Sequence, residues 1–324
     1  EVVCTSLLDA TKVGGVLQVD ENEVVEWGAF AVTVPECLTE KQRQIILSAV
    51  QKVAKRRLGG GLKVNAFNET LCVALQFAML PPMQPKVFMS VDLGASKLSV
   101  SAYEMVQQEV GVFRVVELAS RTDVFCSGSE IEYRMMQWCE KRRPFQNSML
   151  TSKPALFKLR KEIRQALKTL TVAEEATIET DNVVGGHDLQ LVLTLEDFEH
   201  ECADIFDSIV SLTSAVLGMT GRKCVPDCVL VGGAMRIPRA QRLLAALLEG
   251  QGGVIRKTVD MDRAISMGAA TAAAFQCEGR SVSMALDPEK PFVELAKRFR
   301  KGEGGLDRED SSDVSHPPGT SGGA

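Results

Sequence analysis

The sequence predicts an α/β fold, because short apolar strand patterns alternate with helical patterns from residue 29 onward. The β-branched run Ala29–Val34, which ends at Pro35, gives the first strand, and apolar residues at helical spacing follow it. Two later apolar strands each end in a turn of small residues, at 92–96 and at 232–236. Because open α/β sheets bind ligands at this end of their strands, the two turns are the candidate binding segments.

Before residue 86 the chain predicts two strand–helix units. Thr39 and Gln42 have the spacing of a capping box, which places a helix start shortly after the first strand. A strand over 62–67 and a helix over 69–80 form the second unit. The Pro-rich segment 81–85 ends this helix and marks the first domain boundary.

After residue 86 the pattern predicts a larger unit with an inserted subdomain. Three strands are predicted, over 86–91, from residue 98 and over 112–118. The hairpin turn at 92–96 joins the first two. Residues from about 125 to 195 predict a small α+β insertion. The elements after it are a long helix capped by Thr194 and ending at Gly218, a strand over 228–231, a helix opened by Pro238 and a helix over 262–275. Residues 278–324 lack periodicity, and we expect a disordered tail there.

Charge and cysteine usage argue against several classes of function. Lys and Arg number 37 against 42 Asp and Glu, and a net charge of −5 offers no basic field for nucleic acid. No apolar run reaches the roughly 18 residues of a membrane span. The nine cysteines are scattered, and Cys224 and Cys228, the only close pair, have no second Cys or His pair at the spacing of a metal site. We therefore expect a cytoplasmic protein with buried thiols and with neither nucleic-acid nor membrane partners.

Each of the two turns allows a functional and a purely structural interpretation. At 92–97, the Asp92 carboxylate beside small residues can hold a hydrated Mg²⁺ or orient water while backbone N–H groups approach phosphate. An ordinary hairpin turn is the alternative. At 232–236, two glycines let a ligand lie against the backbone, and the guanidinium of Arg236 can stack on a base. A tight strand–helix connection is the alternative there.

Five segments, in the same order, resemble the heat shock protein 70 (DnaK-type) chaperone family. Residues 230–238 read LVGGAMRIP and are similar to the family's adenosine motif LVGGSTRIPKIQ. Each of the other four segments resembles the family motif that is given after it in parentheses. They are 32–35 with Gln42-Arg43 (VTVPAYF…QR), Asn68-Glu69 (NEPTAAA), Asp92-Leu93-Gly94 (DLGGGTFD) and 262–270 (DEAVAYGAA). The resemblance covers residues 29 to about 277, which is most of the chain.

The resemblance implies an actin-like ATPase (ribonuclease H-like) fold, in which two lobes surround a nucleotide cleft. Residues 1–28 match poorly, 29–85 correspond to an incomplete first lobe, and 86–277 correspond to the second lobe with its insertion. The family relationship also implies ATP or ADP with Mg²⁺ as cofactors, chaperones or co-chaperones as partners, and a role in protein folding or stress response.

The resemblance also assigns site residues. Glu69 and Asp92 correspond to the cleft carboxylates of the catalytic side, with Asp92 holding the metal through water. The nucleotide-binding residues are Gly94, Ala95, Ser96, Lys97, Arg164, Lys168, Thr171, Gly232, Gly233, Ala234, Arg236 and Asp262. Lys97 stands where the family has threonine and can supply a cation near the β-phosphate, but we favour an exposed strand lysine.

Departures from the family pattern predict impaired hydrolysis. The first phosphate motif (GIDLGTT) and the lysine that contacts the transferred phosphate have no counterpart in residues 1–28, so half of the phosphate cradle is missing. Residues 278–324 are also too short for the family's peptide-binding β-sandwich. We therefore expect a nucleotide-binding domain of chaperone type with weak or no ATP hydrolysis and no peptide-binding domain.

Three other interpretations stay open at this point. The chain can be a co-chaperone or exchange-factor-like interaction module that works without nucleotide. It can be a true ATPase whose N-terminal phosphate loop lies upstream of this sequence. A sugar or acetate kinase of the same broad fold is the third, and the string at 232–238 argues against it because it resembles the chaperone motif in particular.

Overall fold

The computed structural model describes residues 29–58, 63–78, 86–109, 112–221, 227–250 and 252–277. The N-terminal segment 1–28, the boundary at 81–85 and the tail 278–324, each predicted from the sequence, lie outside these residues. Strands and helices alternate through the described residues, and the predicted α/β class is confirmed.

The first described unit is a parallel strand pair with its crossover helix. β1 (Ala29–Val34) pairs in parallel with β2 (Lys63–Asn68), and α1 (Glu40–Leu58) makes the connection that a parallel pair needs. The predicted capping box is present, because the Thr39 N–H donates to Gln42 Oε1 at 2.8 Å and the Gln42 N–H donates to Thr39 Oγ1 at 3.3 Å. α2 (Glu69–Ala78) follows β2 directly and is almost wholly buried.

A five-stranded mixed sheet forms the centre of the remaining chain. Its strand order is β5-β4-β3-β8-β9. The five strands are β3 (Lys86–Leu93), β4 (Leu98–Glu109), β5 (Val112–Asp123), β8 (Asp227–Val231) and β9 (Ile255–Arg256). β3, β4 and β5 are antiparallel neighbours, whereas β8 lies parallel to β3 and β9 parallel to β8. The short strand β9 has no counterpart among the elements that the sequence predicts.

The segment between β5 and β8 contains the predicted α+β insertion. Its elements are α3 (Gly128–Arg142), α4 (Lys153–Thr169), β6 (Glu175–Val184) and β7 (His187–Thr194). The hydroxyl of Ser127 caps α3 by accepting the Glu130 N–H at 3.2 Å, and the hydroxyl of Ser152 caps α4 in the same way. Strands β6 and β7 form an antiparallel hairpin.

The prediction of one long helix after Thr194 is wrong. Two helices, α5 (Leu195–Glu201) and α6 (Ala203–Met219), meet at Cys202 with a bend of 61°. The bend places the rings of Phe198 and Phe206 edge to face at 5.9 Å in the core. Thr194 does cap α5, because its hydroxyl accepts the Asp197 N–H at 3.1 Å.

Two further helices complete the described chain, α7 (Pro238–Glu249) and α8 (Ala264–Cys277). The predicted turn after β8 contains a short 3₁₀ helix at Gly233–Arg236. Among the described residues, no single helix is long and apolar enough to cross a membrane, and only α5 and α6 taken together across their bend meet that criterion.

Both faces of the five-stranded sheet are covered. One face, with Val91, Leu93 and Val100, belongs to the core shared with α3, α4, α6 and α7. The other face, with Phe88 and Tyr103, packs against α2 and α8. Polar residues along β4 are therefore buried as well as apolar ones.

The contact between α2 and α8 requires a glycine. A Cβ added at Gly268 would lie 1.8 Å from the carbonyl oxygen of Cys72 on α2. Real Cβ atoms do not approach a carbonyl oxygen so closely, so the two helices can meet at this separation only because residue 268 has no side chain.

We expect Gly268→Ala to lower the free energy of unfolding by at least the ~1–3 kcal/mol of a typical overpacked core. Gly218→Ala is the matched control, because an added Cβ at Gly218 of α6 meets nothing within 4 Å. Alanine there should stabilise the helix by about 0.5–1 kcal/mol. Urea denaturation of both variants measures the difference. Equal effects of the two substitutions would contradict the close α2–α8 contact.

Candidate functional site

The two turns selected from the sequence lie side by side. β3 and β8 are parallel neighbours, with Asp92 opposite Val231, so the turns that follow them share one edge of the sheet. Gly232 has φ of +87°, and an added Cβ would lie 2.3 Å from the carbonyl oxygen of Leu93. Only glycine fits this position, which brings the two backbones into direct contact.

A cavity of about 290 Å³ opens beside these turns. Six of the predicted nucleotide-binding residues line it: Gly94, Ala95, Arg164, Lys168, Gly233 and Ala234. Five further lining residues were missed from the sequence: Gly128, Ile131, Glu132, Leu167 and Ile237. The apolar ones, Ile131, Leu167 and Ile237, come from three separate segments, and the sequence does not distinguish them from ordinary core residues.

The wall of the cavity formed by the insertion carries a fixed ion pair. Glu132 of α3 accepts hydrogen bonds from Arg164 of α4, at 2.6 Å from Nε and 3.1 Å from Nη2. Arg160 Nε lies 3.5 Å from the same carboxylate. The predicted residue Thr171 is not among the lining residues, and its hydroxyl donates to the Lys168 carbonyl at 2.7 Å.

Arg236 and Asp262 form a salt bridge next to the second turn. Arg236 Nη2 lies 2.6 Å from Asp262 Oδ2, and both side chains are about half exposed. A Cβ added at Gly233 would lie 3.6 Å from Asp262 Oδ1, so the pair lies near Gly233, but neither Arg236 nor Asp262 is among the residues that line the cavity. The guanidinium predicted to stack on a base is thus held in place by the carboxylate predicted beside it.

The first turn is fixed against the start of α3. The N–H groups of Gly128 and Ser129 donate to the carbonyls of Gly94 and Ala95, at 2.8 and 3.0 Å. The Gly94 N–H donates to the Lys97 carbonyl at 3.0 Å. These donors are used within the protein, whereas the predicted residue Ser96 is exposed and is not among the residues lining the cavity.

Lys97 is buried, and its interpretation as an exposed strand lysine is wrong. Its Nζ lies 3.2 Å from Glu36 Oε2 and 3.0 Å from Glu69 Oε2, and it donates to Ser99 Oγ at 2.8 Å. Lys97 is buried because both faces of the sheet are covered. The alternation of polar and apolar residues along β4 predicts that one face is exposed to solvent, but that face packs against α2. We call Lys97, Glu36, Glu69 and Ser99 the lysine cluster.

Glu36 is the functional residue that sequence reasoning missed most clearly. It is buried, and besides Lys97 its carboxylate accepts the N–H of Thr70, in the first turn of α2, at 2.6 Å. Glu36 comes directly after Pro35 at the carboxyl end of β1. The rule that drew attention to the ends of β3 and β8 would have identified this position too.

Burial and charge shift the ionisation of the groups around the cluster. Burial raises the pKa of Asp92 to about 6, with Lys97 opposing this and Glu69 and Glu36 adding to it. Burial lowers the pKa of Lys97, but the carboxylates of Glu36 and Glu69 outweigh that effect and hold the pKa above its ordinary value. Lys97 is therefore charged at neutral pH and shares its surroundings with three carboxyl groups.

The prediction that Asp92 holds Mg²⁺ through water is untested, but the lysine cluster itself does not fit the ion. The carboxylates of Glu36 and Glu69, which would attract a hydrated cation, are already paired with the ammonium of Lys97. Over the residues that the structure describes, no group of three or more His, Cys, Asp or Glu side chains is arranged to hold a metal ion.

A second and larger cavity, of about 740 Å³, contains none of the predicted site residues. Its charged side chains pair with one another, since Glu199 lies 2.9 Å from Arg239 and 2.8 Å from Arg242. We assign the site to the smaller cavity, because that is where residues far apart in the sequence converge.

Sequence comparisons identify similar proteins. A family model described as Hsp70 protein matches residues 19–287. The chain is 27% identical over 274 residues to heat shock cognate 70 kDa protein 3 of Dictyostelium discoideum, covering 82% of this chain and 41% of that protein. It is 29% identical over 249 residues to the heat shock 70 kDa protein of Neurospora crassa, covering 75% of this chain and 36% of the relative. The chain thus spans less than half the length of these curated relatives.

We expect Lys97→Met to lower the free energy of unfolding by about 3–5 kcal/mol, because it leaves the buried Glu36 carboxylate without its partner. Lys161→Met is the control, since Lys161 is 77% exposed and its loss should change stability by no more than about 0.5 kcal/mol. Chemical denaturation measures both. A loss at Lys97 no larger than at Lys161 would show that the cluster does not stabilise the fold.

We expect Glu117→Gln to stabilise the protein at pH 8 and to have little effect near pH 4.5. Burial, with a contribution from Glu36, raises the pKa of Glu117 on β5 to about 7 from 4.5. The folded state therefore favours the protonated form, and the stability that this gives is present below about pH 4.5 and lost as the pH rises through about 7. Thermal unfolding of wild type and variant across this range measures the effect. A pH-independent difference would contradict the shift.

Proposed function

The chain belongs to the Hsp70 family, and on this basis we propose that it binds an adenine nucleotide in the 290 Å³ cavity, as the nucleotide-binding part of a chaperone system. The family has the actin-like ATPase fold, which confirms the predicted fold. The observation that carries the proposal is the convergence of Gly94, Lys168 and Gly233, from three separate segments, on one cavity.

The lining of the cavity suits a flat, partly polar ligand. Ile131, Leu167 and Ile237 offer apolar surface for a base, and the glycines of both turns allow the ligand to lie close to the backbone. Glu132 and Lys168 supply polar groups that can orient it. The volume is close to the lower bound of ~300 Å³ for small-molecule sites, which is the size class of a nucleoside rather than of a large substrate.

We also propose that ATP hydrolysis is weak or absent. Phosphoryl transfer depends on cations and N–H donors that are positioned around the transferred phosphate. At the first turn the ammonium of Lys97 is paired with two carboxylates, and the N–H groups of Gly128 and Ser129 are hydrogen-bonded to the turn itself. Stabilisation of a developing phosphate charge there requires these contacts to break first.

A second candidate function is a co-chaperone that acts on another Hsp70 chaperone without using nucleotide itself. The pairing within the lysine cluster favours this candidate, because a protein that does not use nucleotide loses no activity when Lys97 is unavailable to phosphate. The test is the rate of nucleotide release from a partner Hsp70 chaperone in the presence of this chain. An unchanged release rate would remove this candidate.

A reducing compartment such as the cytoplasm agrees with the cysteine pattern. Among the described cysteines six are free, and burial raises the pKa of the thiols of Cys72, Cys139 and Cys228 to about 12. Such thiols are unreactive and need no disulfide partner. Imaging of the tagged protein in cells tests the location, and a secretory distribution would contradict it.

We expect saturating adenine ligand, tested as adenosine, ADP and ATP with and without Mg²⁺, to raise the unfolding temperature of the purified chain. A ligand at a hundred times its Kd adds about 2.7 kcal/mol of stability. Gly233→Val should abolish the shift, because its side chain enters the cavity while the added Cβ itself meets nothing closer than 3.6 Å. Gly218→Val, on the open face of α6, is the control and should keep the shift. No shift with any of these ligands would contradict adenine binding.

A further inference from the structure

The turn at 92–97 and the lysine cluster beside it indicate a ligand preference that membership of the family does not predict. We propose that Lys97 takes the place of the divalent cation, so that the site binds the adenosine part of a ligand without Mg²⁺ and gains nothing from the β- and γ-phosphates. The proposal rests on the adenine site proposed above.

The hydrogen-bonding capacity of Lys97 is fully used. An ammonium group has three N–H donors, and the Nζ of Lys97 has three acceptors at hydrogen-bond distance: Glu36 Oε2 at 3.2 Å, Glu69 Oε2 at 3.0 Å and Ser99 Oγ at 2.8 Å. A phosphate oxygen would have to displace one of them. Displacement of Glu36 would leave a buried carboxylate unpaired, which is costly in a protein interior.

The same contacts leave no place for Mg²⁺. In proteins this ion keeps several waters and is held through one or two carboxylates and substrate phosphates. Here the carboxylates of Glu36 and Glu69 meet on a single positive charge, and a second cation between them would be repelled by the ammonium. Glu36 is tied further by the Thr70 N–H at 2.6 Å.

Excess negative charge surrounds the end of the cavity nearest the cluster. Asp92 Oδ1 lies 3.8 Å from the position of a Cβ added at Gly94, which lines the cavity. With Glu36 and Glu69, Asp92 gives three carboxyl groups against the one ammonium of Lys97. A polyphosphate that extends past Gly94 without a bound cation therefore meets carboxylates rather than donors.

Three backbone N–H groups at this end are also used within the protein. The N–H groups of Gly94, Gly128 and Gly232 donate to the carbonyls of Lys97, Gly94 and Met261, at 3.0, 2.8 and 2.9 Å. Backbone N–H groups in such turns are the usual cradle for phosphates. The apolar and glycine surface of the cavity stays available to a base and ribose, so the two ends of the cleft differ in what they can bind.

Calorimetric titration of the wild-type chain with adenosine, ADP and ATP, each in excess Mg²⁺ and in EDTA, tests the proposal. We expect neither ADP nor ATP to bind more than about tenfold more tightly than adenosine, equivalent to about 1.4 kcal/mol, in Mg²⁺ or in EDTA. A preference for ADP or ATP of more than about tenfold that EDTA removes would overturn the proposal while leaving adenine binding intact. Absence of heat in all six titrations would overturn the adenine site itself, and the proposal with it.

Two variants separate the role of Lys97 from a general weakening of the site. In Lys97→Thr/Glu36→Gln the ammonium is gone, Glu69 is released from it, and the side chain of residue 36 is neutral, so that no fully buried carboxylate is left unpaired. We expect this variant to acquire Mg²⁺-dependent preference for ADP over adenosine. Glu36→Gln alone keeps the ammonium of Lys97, so any change in its overall affinity should come without an Mg²⁺-dependent preference for ADP. Acquisition of the preference by Glu36→Gln as well, or by neither folded variant, would overturn the role assigned to Lys97. The wild-type titrations decide the ligand preference independently of either variant.

Discussion

The buried ammonium of Lys97 is the contact on which the arrangement of the cleft depends. Lys97 lies between β3 and β4 of the five-stranded sheet, whereas Glu36 follows β1 and Glu69 begins α2, both in the unit built around the parallel strand pair. A buried charge must stay paired, because an unpaired one costs several kcal/mol. The cluster thus fixes where the first strand–helix units sit relative to the central sheet, and α2 adds apolar packing against the same face.

The cleft consequently has two ends with different physical origins. The adenosine end is made by backbone geometry, since Gly232 has a positive φ that brings the two turns together, and apolar side chains from α3 and α4 close its other wall. The other end is made by charge, and the ammonium of Lys97 is paired there with the carboxylates of Glu36 and Glu69. Binding at the first end does not require rearrangement at the second. Under the proposed function, this separation lets a member of the Hsp70 family bind a base at the first end while the second end departs from the family's phosphate motif.

Periodicity predicted most elements of the fold, because strands and helices repeat local patterns that a single sequence carries. The bend at Cys202 escaped prediction, since neither proline nor glycine marks it and the apolar spacing continues through both helices. Of the six predicted cavity residues, those in the two turns also lie in segments that the strand-end rule selects, whereas Arg164 and Lys168 were predicted from the family resemblance alone. Lys97 was misassigned because its partner Glu36 is 61 residues away, and strand alternation indicates which residues share a face but not what covers it.

The most direct test of the central claim is a crystal structure of the chain grown with saturating ADP and Mg²⁺. Our account predicts adenosine density beside Gly233 and Lys168, with Lys97 Nζ still near 3.2 Å from Glu36 and 3.0 Å from Glu69 and with no metal between the carboxylates. A hydrated Mg²⁺ bridging the phosphates to Asp92 and Glu69, with Lys97 displaced from its carboxylates, would contradict it.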